Sequence, residues 1–159
     1  MAKDLSAKDI ERAKFVFSIY DFEGNGTVDA YDLGSCLRSL SLVPTEKVVE
    51  KLGGQKKKGQ KKLKVDEFLP LYAECKKDKD IGNVEDFTEV LKLYDKNENG
   101  MMYYDELKHI LQTLGEKLEP TEVEEIVKDC AEAPDDEGLT TYTLFLKKLM
   151  AGPYPGDED

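Results

Sequence analysis

The 159-residue sequence predicts an all-α fold of four helix–loop–helix units, arranged as two lobes and joined by a short polar linker. Three observations carry that expectation. "FSIYDFEGNGTVDAYDLGSCL" from Phe17 and "LKLYDKNENGMMYYDELKHIL" from Leu91 share one pattern: an apolar helical run ending in an aromatic residue, then Asp, a Gly-containing polar loop and a second helical run. Two fainter copies fall into register by counting back from Phe68 in "VDEFL" and Phe145 in "YTLFL", so that loops begin at residues 21, 56, 95 and 133. The spacings of 35, 39 and 38 residues are nearly constant, and a period of that length marks a chain built from one repeated supersecondary unit.

The helices follow in order from local signals. Ser6 and Asp9 make a capping box that opens the first helix. Pro44-Thr45 and Pro120-Thr121 open the first helices of the second and fourth units. Phe87, Leu91 and Tyr94 recur at helical spacing before the third loop, and Leu107, Ile110, Leu111 and Leu114 continue the stripe after it. The polar stretch "CKKDKDIGNVED" separates the halves. The expected organisation is an N-terminal lobe over 1–76, a linker over 77–84 and a C-terminal lobe over 85–159.

The loops define the unit as an EF-hand, whose twelve-residue loop presents oxygen ligands at positions 1, 3, 5, 7, 9 and 12 around a glycine at position 6. That glycine is Gly26 in the first loop and Gly100 in the third. The first loop offers Asp21, Glu23, Asn25, the Thr27 carbonyl, Asp29 and Asp32. Asp32 is one methylene shorter than the glutamate that binds calcium through both oxygens, which leaves a magnesium-like site or none. The third loop matches the ligand pattern literally, with Asp95, Asn97, Asn99, the Met101 carbonyl and Glu106, but only two of these are charged. Weak calcium or magnesium binding is the expectation there, and no cofactor is required. Lys56, Lys58 and Lys64 stand at ligand positions of the second loop, and an ammonium is a donor that repels cations. The fourth loop has Ala133 and Leu144 at its two anchoring positions. Position 8 is Val28, Leu63, Met102 and Thr140, which suits a short ribbon between the paired loops of each lobe.

Charge and composition exclude several function classes. Residues 1–78 hold 15 Lys/Arg against 13 Asp/Glu, whereas 79–159 hold 8 against 21. The acidic second half attracts a basic partner and repels nucleic acid, so the six lysines of "QKKKGQKKLK" from Gln55 do not read as a nucleic-acid patch. No apolar run is long enough to span a membrane, and the opening "MAKDLSAKDI" has no signal core, so a cytoplasmic location is expected. Three widely spaced cysteines read as reduced thiols. One histidine, no nucleophile–base signature and no phosphate loop speak against an enzyme. Two dead loops and two compromised ones make a poor calcium switch, and four methionines are few for a promiscuous groove. A constitutive grip on one basic amphipathic helix fits better. Its candidate contacts are Phe87, Leu91, Leu107, Leu111, Leu114, Val123, Ile126, Val127, Phe145 and Leu149.

"TVDAYDLGSCLR", "EFLPLY", "ELKHILQTLGEKL" and the closing "FLKKLMAGPYP" resemble myosin essential light chains, especially invertebrate muscle forms, over nearly the whole sequence. The resemblance implies a non-catalytic subunit of the muscle thick filament. It would wrap an IQ-motif helix of the myosin heavy-chain neck independently of calcium, stiffen the lever arm and have a regulatory light chain as a neighbour. The competing reading is a calcium sensor of the calmodulin or troponin-C kind, working through the third loop.

Overall fold

The computed structural model describes residues 4–79 and 81–151, so Gly152 to Pro155 of the closing motif lie outside the described residues. The chain divides into two compact units between Gly82 and Asn83. In the first, α1 (Ala7–Tyr20) leads through loop 1 and β1 (Thr27–Asp29) to a 3-10 turn (Ala30–Asp32) and α2 (Leu33–Ser39). Then α3 (Glu46–Lys51) leads through loop 2 and β2 (Lys62–Lys64) to α4 (Val65–Lys77). In the second unit α5 (Val84–Lys92), β3 (Met101–Tyr103) and α6 (Tyr104–Thr113) form the third hand. The fourth is α7 (Pro120–Cys130), β4 (Leu139–Thr141) and α8 (Tyr142–Ala151). Each strand falls on loop positions 7 to 9 of the frame counted in the sequence.

Within each unit two loops pair as an antiparallel ribbon, β1 with β2 and β3 with β4. The register sets Val28 opposite Leu63 and Met102 opposite Thr140, as the position-8 residues require. Val28, Leu63, Met102 and Thr140 are all buried. The ribbon therefore serves at once as a hydrogen-bonded strap and as the floor of the core.

Aromatic packing closes the first unit. Phe17 on α1 meets Phe68 on α4 at a ring-centroid distance of 5.6 Å, and Phe68 in turn stacks with Tyr72 at 6.5 Å. Burial pushes the Cys36 thiol up to about 12 and the Cys75 thiol up to about 11, so both stay protonated in this core. All three cysteines are free. The core of the second unit is built on Leu91, Met102, Leu107, Ile110, Tyr142, Phe145 and Leu146.

The helix boundaries refine the expected linker. Helix α4 runs through Lys77 and Asn83 caps α5, accepting from the Asp86 N–H at 2.9 Å, so residues 78–83 lie between the helices rather than 77–84. The last turn of α4 is tied to the N-terminal segment by ion pairs: Lys76 with Asp9 at 2.9 Å, and Lys77 with Asp4. No helix among the described residues is long and apolar enough to cross a membrane.

Asp9 is the hub of that tie. It accepts from Lys76, from the Ser6 hydroxyl at 2.8 Å and from the Ser6 N–H at 3.1 Å. These donors, Lys76 foremost, hold its carboxyl far below the ordinary 3.8. A depressed carboxylate contributes stability above its unfolded-state value and loses it as pH falls towards the lower folded value. Asp9→Asn is expected to lower the stability of the first unit by about 1 kcal/mol at neutral pH. The gap from the parent should shrink as pH falls below 3.8. Urea unfolding of both chains across pH 7 to 3, followed by circular dichroism, checks this.

Candidate functional site

Loop 1 takes the backbone path of an EF-hand. Gly24 and Gly26, at positions 4 and 6, have φ of +63° and +77°, where a Cβ is strained. Asp21 accepts from the Asn25 N–H at 3.1 Å and the Gly26 N–H at 2.7 Å, and Asn25 Oδ1 accepts from the Thr27 N–H at 3.0 Å. Glu23 and Asp29 are engaged by neighbouring groups. Glu23 accepts from Asn25 Nδ2 at 2.6 Å and from the ammonium of Lys62 in the neighbouring loop. Asp29 accepts from the Tyr31 N–H at 3.0 Å and the Gly59 N–H at 2.6 Å. The Tyr31 N–H holds its carboxyl low against the cost of burial, with help from Gly59 and from the charges of Lys58 and Lys62. Asp32 closes the 3-10 turn and caps nothing with its side chain.

Loop 2 departs from the EF-hand path in its first half. Its positive φ is at Gly59, position 4, and not at position 6, which is Lys61. Lys56 pairs with Glu50 at 2.8 Å and Lys58 lies 5.3 Å from the centroid of the Tyr31 ring. Glu67, at position 12, accepts from the Lys64 N–H at 2.9 Å and so serves the start of α4. The lysine block is thus partly absorbed into its own lobe.

Loop 3 repeats the path of loop 1, with Glu98 at φ +51° and Gly100 at +81°. Asp95, 6% exposed, accepts from the Asn99 N–H at 3.2 Å, the Gly100 N–H at 2.7 Å and the Tyr142 hydroxyl at 3.1 Å. Burial alone would raise its pKa, but these donors outweigh burial and hold the carboxyl below its ordinary value. Asn99 Oδ1 accepts from the Met101 N–H at 3.1 Å, and Asn97 and Asn99 are exposed. Glu106 Oε2 is buried with no hydrogen-bond partner. In loop 4, Asp135 accepts from the Glu137 and Leu139 N–H groups, both at 2.9 Å, as an acidic turn does. No group of three or more His, Cys, Asp or Glu side chains is gathered as a metal cluster among the described residues.

The apolar candidates divide by burial. Leu91, Leu107, Val123, Val127 and Phe145 lie buried in the second unit instead of on a free face. A helical stripe reports only that one face is covered; the same residues at the same spacing serve a core as well as a groove. Phe87, Leu111 and Ile126 are half-buried against that core. Leu114 (47%) and Leu149 are exposed, and Val90 on α5 and Leu93 (82%) at its C-cap join them. Those two belong to the side of α5 turned from the core, a signal that the Leu91 stripe masks. Phe15 and Ile19 on α1, and Phe22 just beyond it in loop 1, are likewise exposed at positions i, i+4 and i+7. Their spacing was readable in the sequence.

Four degenerate hands paired into two lobes, with apolar side chains exposed on the acidic lobe, define a calmodulin-like protein of the kind that holds a target helix. No family model matches the chain. The myosin light chain alkali of Drosophila pseudoobscura pseudoobscura is 49% identical over 150 residues, 94% of this chain and 96% of the relative. The myosin essential light chain of Argopecten irradians striated adductor muscle is 41% identical over 131 residues, 82% and 83% of the two chains. The Physarum polycephalum myosin II regulatory domain superposes with a TM-score of 0.71 at 28% identity, covering 91% of this chain and 96% of that one. Mlc1p bound to IQ2 of Myo2p, a class V myosin, gives 0.69 at 28% identity, covering 87% and 96%. The chain belongs to the myosin alkali, or essential, light chains.

The Tyr142–Asp95 bond ties loop 3 to the first turn of α8 inside the core. Tyr142→Phe keeps the ring and removes only the donor, so the second unit is expected to lose about 1 kcal/mol. The first unit should be unaffected. Thermal unfolding by calorimetry, together with amide exchange at Gly100, checks both expectations.

Proposed function

We propose that this chain is a non-catalytic light chain that wraps an IQ-motif helix of a myosin heavy-chain neck and stiffens it as a lever arm. The observation that carries the reading is the set of exposed apolar side chains, Val90, Leu93, Leu114 and Leu149, on the unit whose sequence, residues 83–159, holds 20 acidic residues against 7 basic ones. A basic amphipathic helix meets such a surface with its apolar face on these residues and its cations among the carboxylates. Both ribbons are paired and both cores closed by side chains, so the grip needs no calcium. The relatives support a myosin-associated role in muscle.

A synthetic IQ-motif helix should bind the full chain equally well in chelator and in calcium, and more weakly as salt rises. Leu114→Glu combined with Val90→Glu should weaken binding at least about tenfold by placing charge in a desolvated contact. Binding that needs calcium would sink this reading in favour of a sensor.

One observation favours a divalent ion at the third loop as an accessory. The buried, unpartnered Glu106 Oε2 costs free energy as it stands, and a cation held by Asp95, Asn97, Asn99, the Met101 carbonyl and Glu106 would satisfy it. We propose a weak calcium or magnesium site there. Glu106→Gln should abolish heat of calcium binding in isothermal titration and leave the ion-free lobe as stable as the parent or slightly more so. Unchanged binding by the variant would remove loop 3 as the site.

A further inference from the structure

Loops 1 and 3 follow one path, and they differ in what faces them. The fourth loop, "APDDEGLTTYTL", brings no cation to the third. The second loop brings six lysines to the first. In the ribbon Lys62 is the direct partner of Asp29, so the register itself fixes a cationic side chain beside ligand position 9 of loop 1. Its ammonium donates to Glu23, the residue at ligand position 3. Asn25, at ligand position 5, donates to the same Glu23 oxygen at 2.6 Å. The second loop also engages Asp29 through the Gly59 N–H at 2.6 Å. Two ligand positions of loop 1 are therefore held by loop 2, while Asp21 keeps the backbone bonds that fold the loop.

We propose that Lys62 is the resident cation of loop 1: its ammonium, seated on Glu23, closes to divalent ions a loop that keeps Asp21, Asn25 and the folded path of an EF-hand. An intramolecular charge then adds to the short Asp32 at position 12 in keeping divalent ions out of the first hand. This inference concerns the first lobe alone and is independent of the target helix and of the third loop.

The size of the effect follows from Coulomb's law. One unit charge about 6 Å from a divalent ion, at the water-like dielectric that suits the 43% exposed Lys62 side chain, weakens divalent binding by roughly tenfold. The lysine itself is held by register, because sliding the ribbon by one residue would turn Val28 and Leu63 out of the core.

The test uses the full chain and two amides that report separate loops. The Gly26 N–H bonds Asp21 at 2.7 Å and the Gly100 N–H bonds Asp95 at 2.7 Å. Calcium or magnesium is titrated while both amide resonances are followed. In the parent, Gly26 should not respond at millimolar ion. In Lys62→Gln it should shift and saturate with affinity improved about tenfold or more, and Lys62→Arg, which keeps the charge, should stay closed. Adding Asp21→Asn to Lys62→Gln should abolish the Gly26 response. A Gly26 resonance that stays unresponsive in a folded Lys62→Gln chain overturns the proposal. So does an equal gain in Lys62→Arg, which would make side-chain shape and not charge the barrier.

Discussion

Everything in this molecule hangs on two ribbons of three residues each side, paired where the loops of each lobe touch. Their central pairs, Val28 with Leu63 and Met102 with Thr140, bury side chains in the same place where the backbone exchanges hydrogen bonds. Flanking bonds extend the strap: Ala30 N–H to the Lys61 carbonyl at 2.8 Å, Gln55 N–H to the Ala30 carbonyl at 3.1 Å and Tyr104 N–H to the Gly138 carbonyl at 2.9 Å. In an EF-hand that depends on its ion, the metal fixes the loop and the loop then fixes the helices. Here the strap is backed in each lobe by a closed apolar core.

What replaced the ligands differs between the lobes. In the first, loop 2 supplies cations and backbone donors to loop 1, and its own glutamate at position 12 is reassigned to the start of α4. In the second, Asp95 is satisfied by backbone and by the Tyr142 hydroxyl, and loop 4 keeps only an acidic turn. The first lobe is consequently close to charge balance, whereas the second carries the net negative charge of the chain. That partition leaves one lobe near neutrality and gives the other a field that favours a basic helix.

The period of the repeat, the loop frame and the position-8 pairs were legible in the sequence because each rests on spacing, and spacing survives when ligands are lost. So were the caps at Ser6 and Thr45, which depend on residues three apart. The binding face was only partly legible. Leu107, Val123 and Phe145 lie at helical spacing, as do Leu114 and Leu149, yet burial separates them. Which flank of a stripe faces the core depends on how α5, α6, α7 and α8 cross, and no single helix encodes its own rotation about its axis. Similarly, Lys62 in the sequence is one of six lysines, and nothing in its neighbours marks it.

The sequence by itself determined the four hands, the lysines and apolar residues at ligand positions of the second and fourth loops, the division of charge and the family. These are properties of order and composition along the chain. Only the tertiary structure decided that Lys62 meets Glu23, that Tyr142 meets Asp95 and that Glu106 keeps a buried oxygen without a partner. Those pairs lie 39 and 47 residues apart in the chain and are set by ribbon register, which local propensity does not fix.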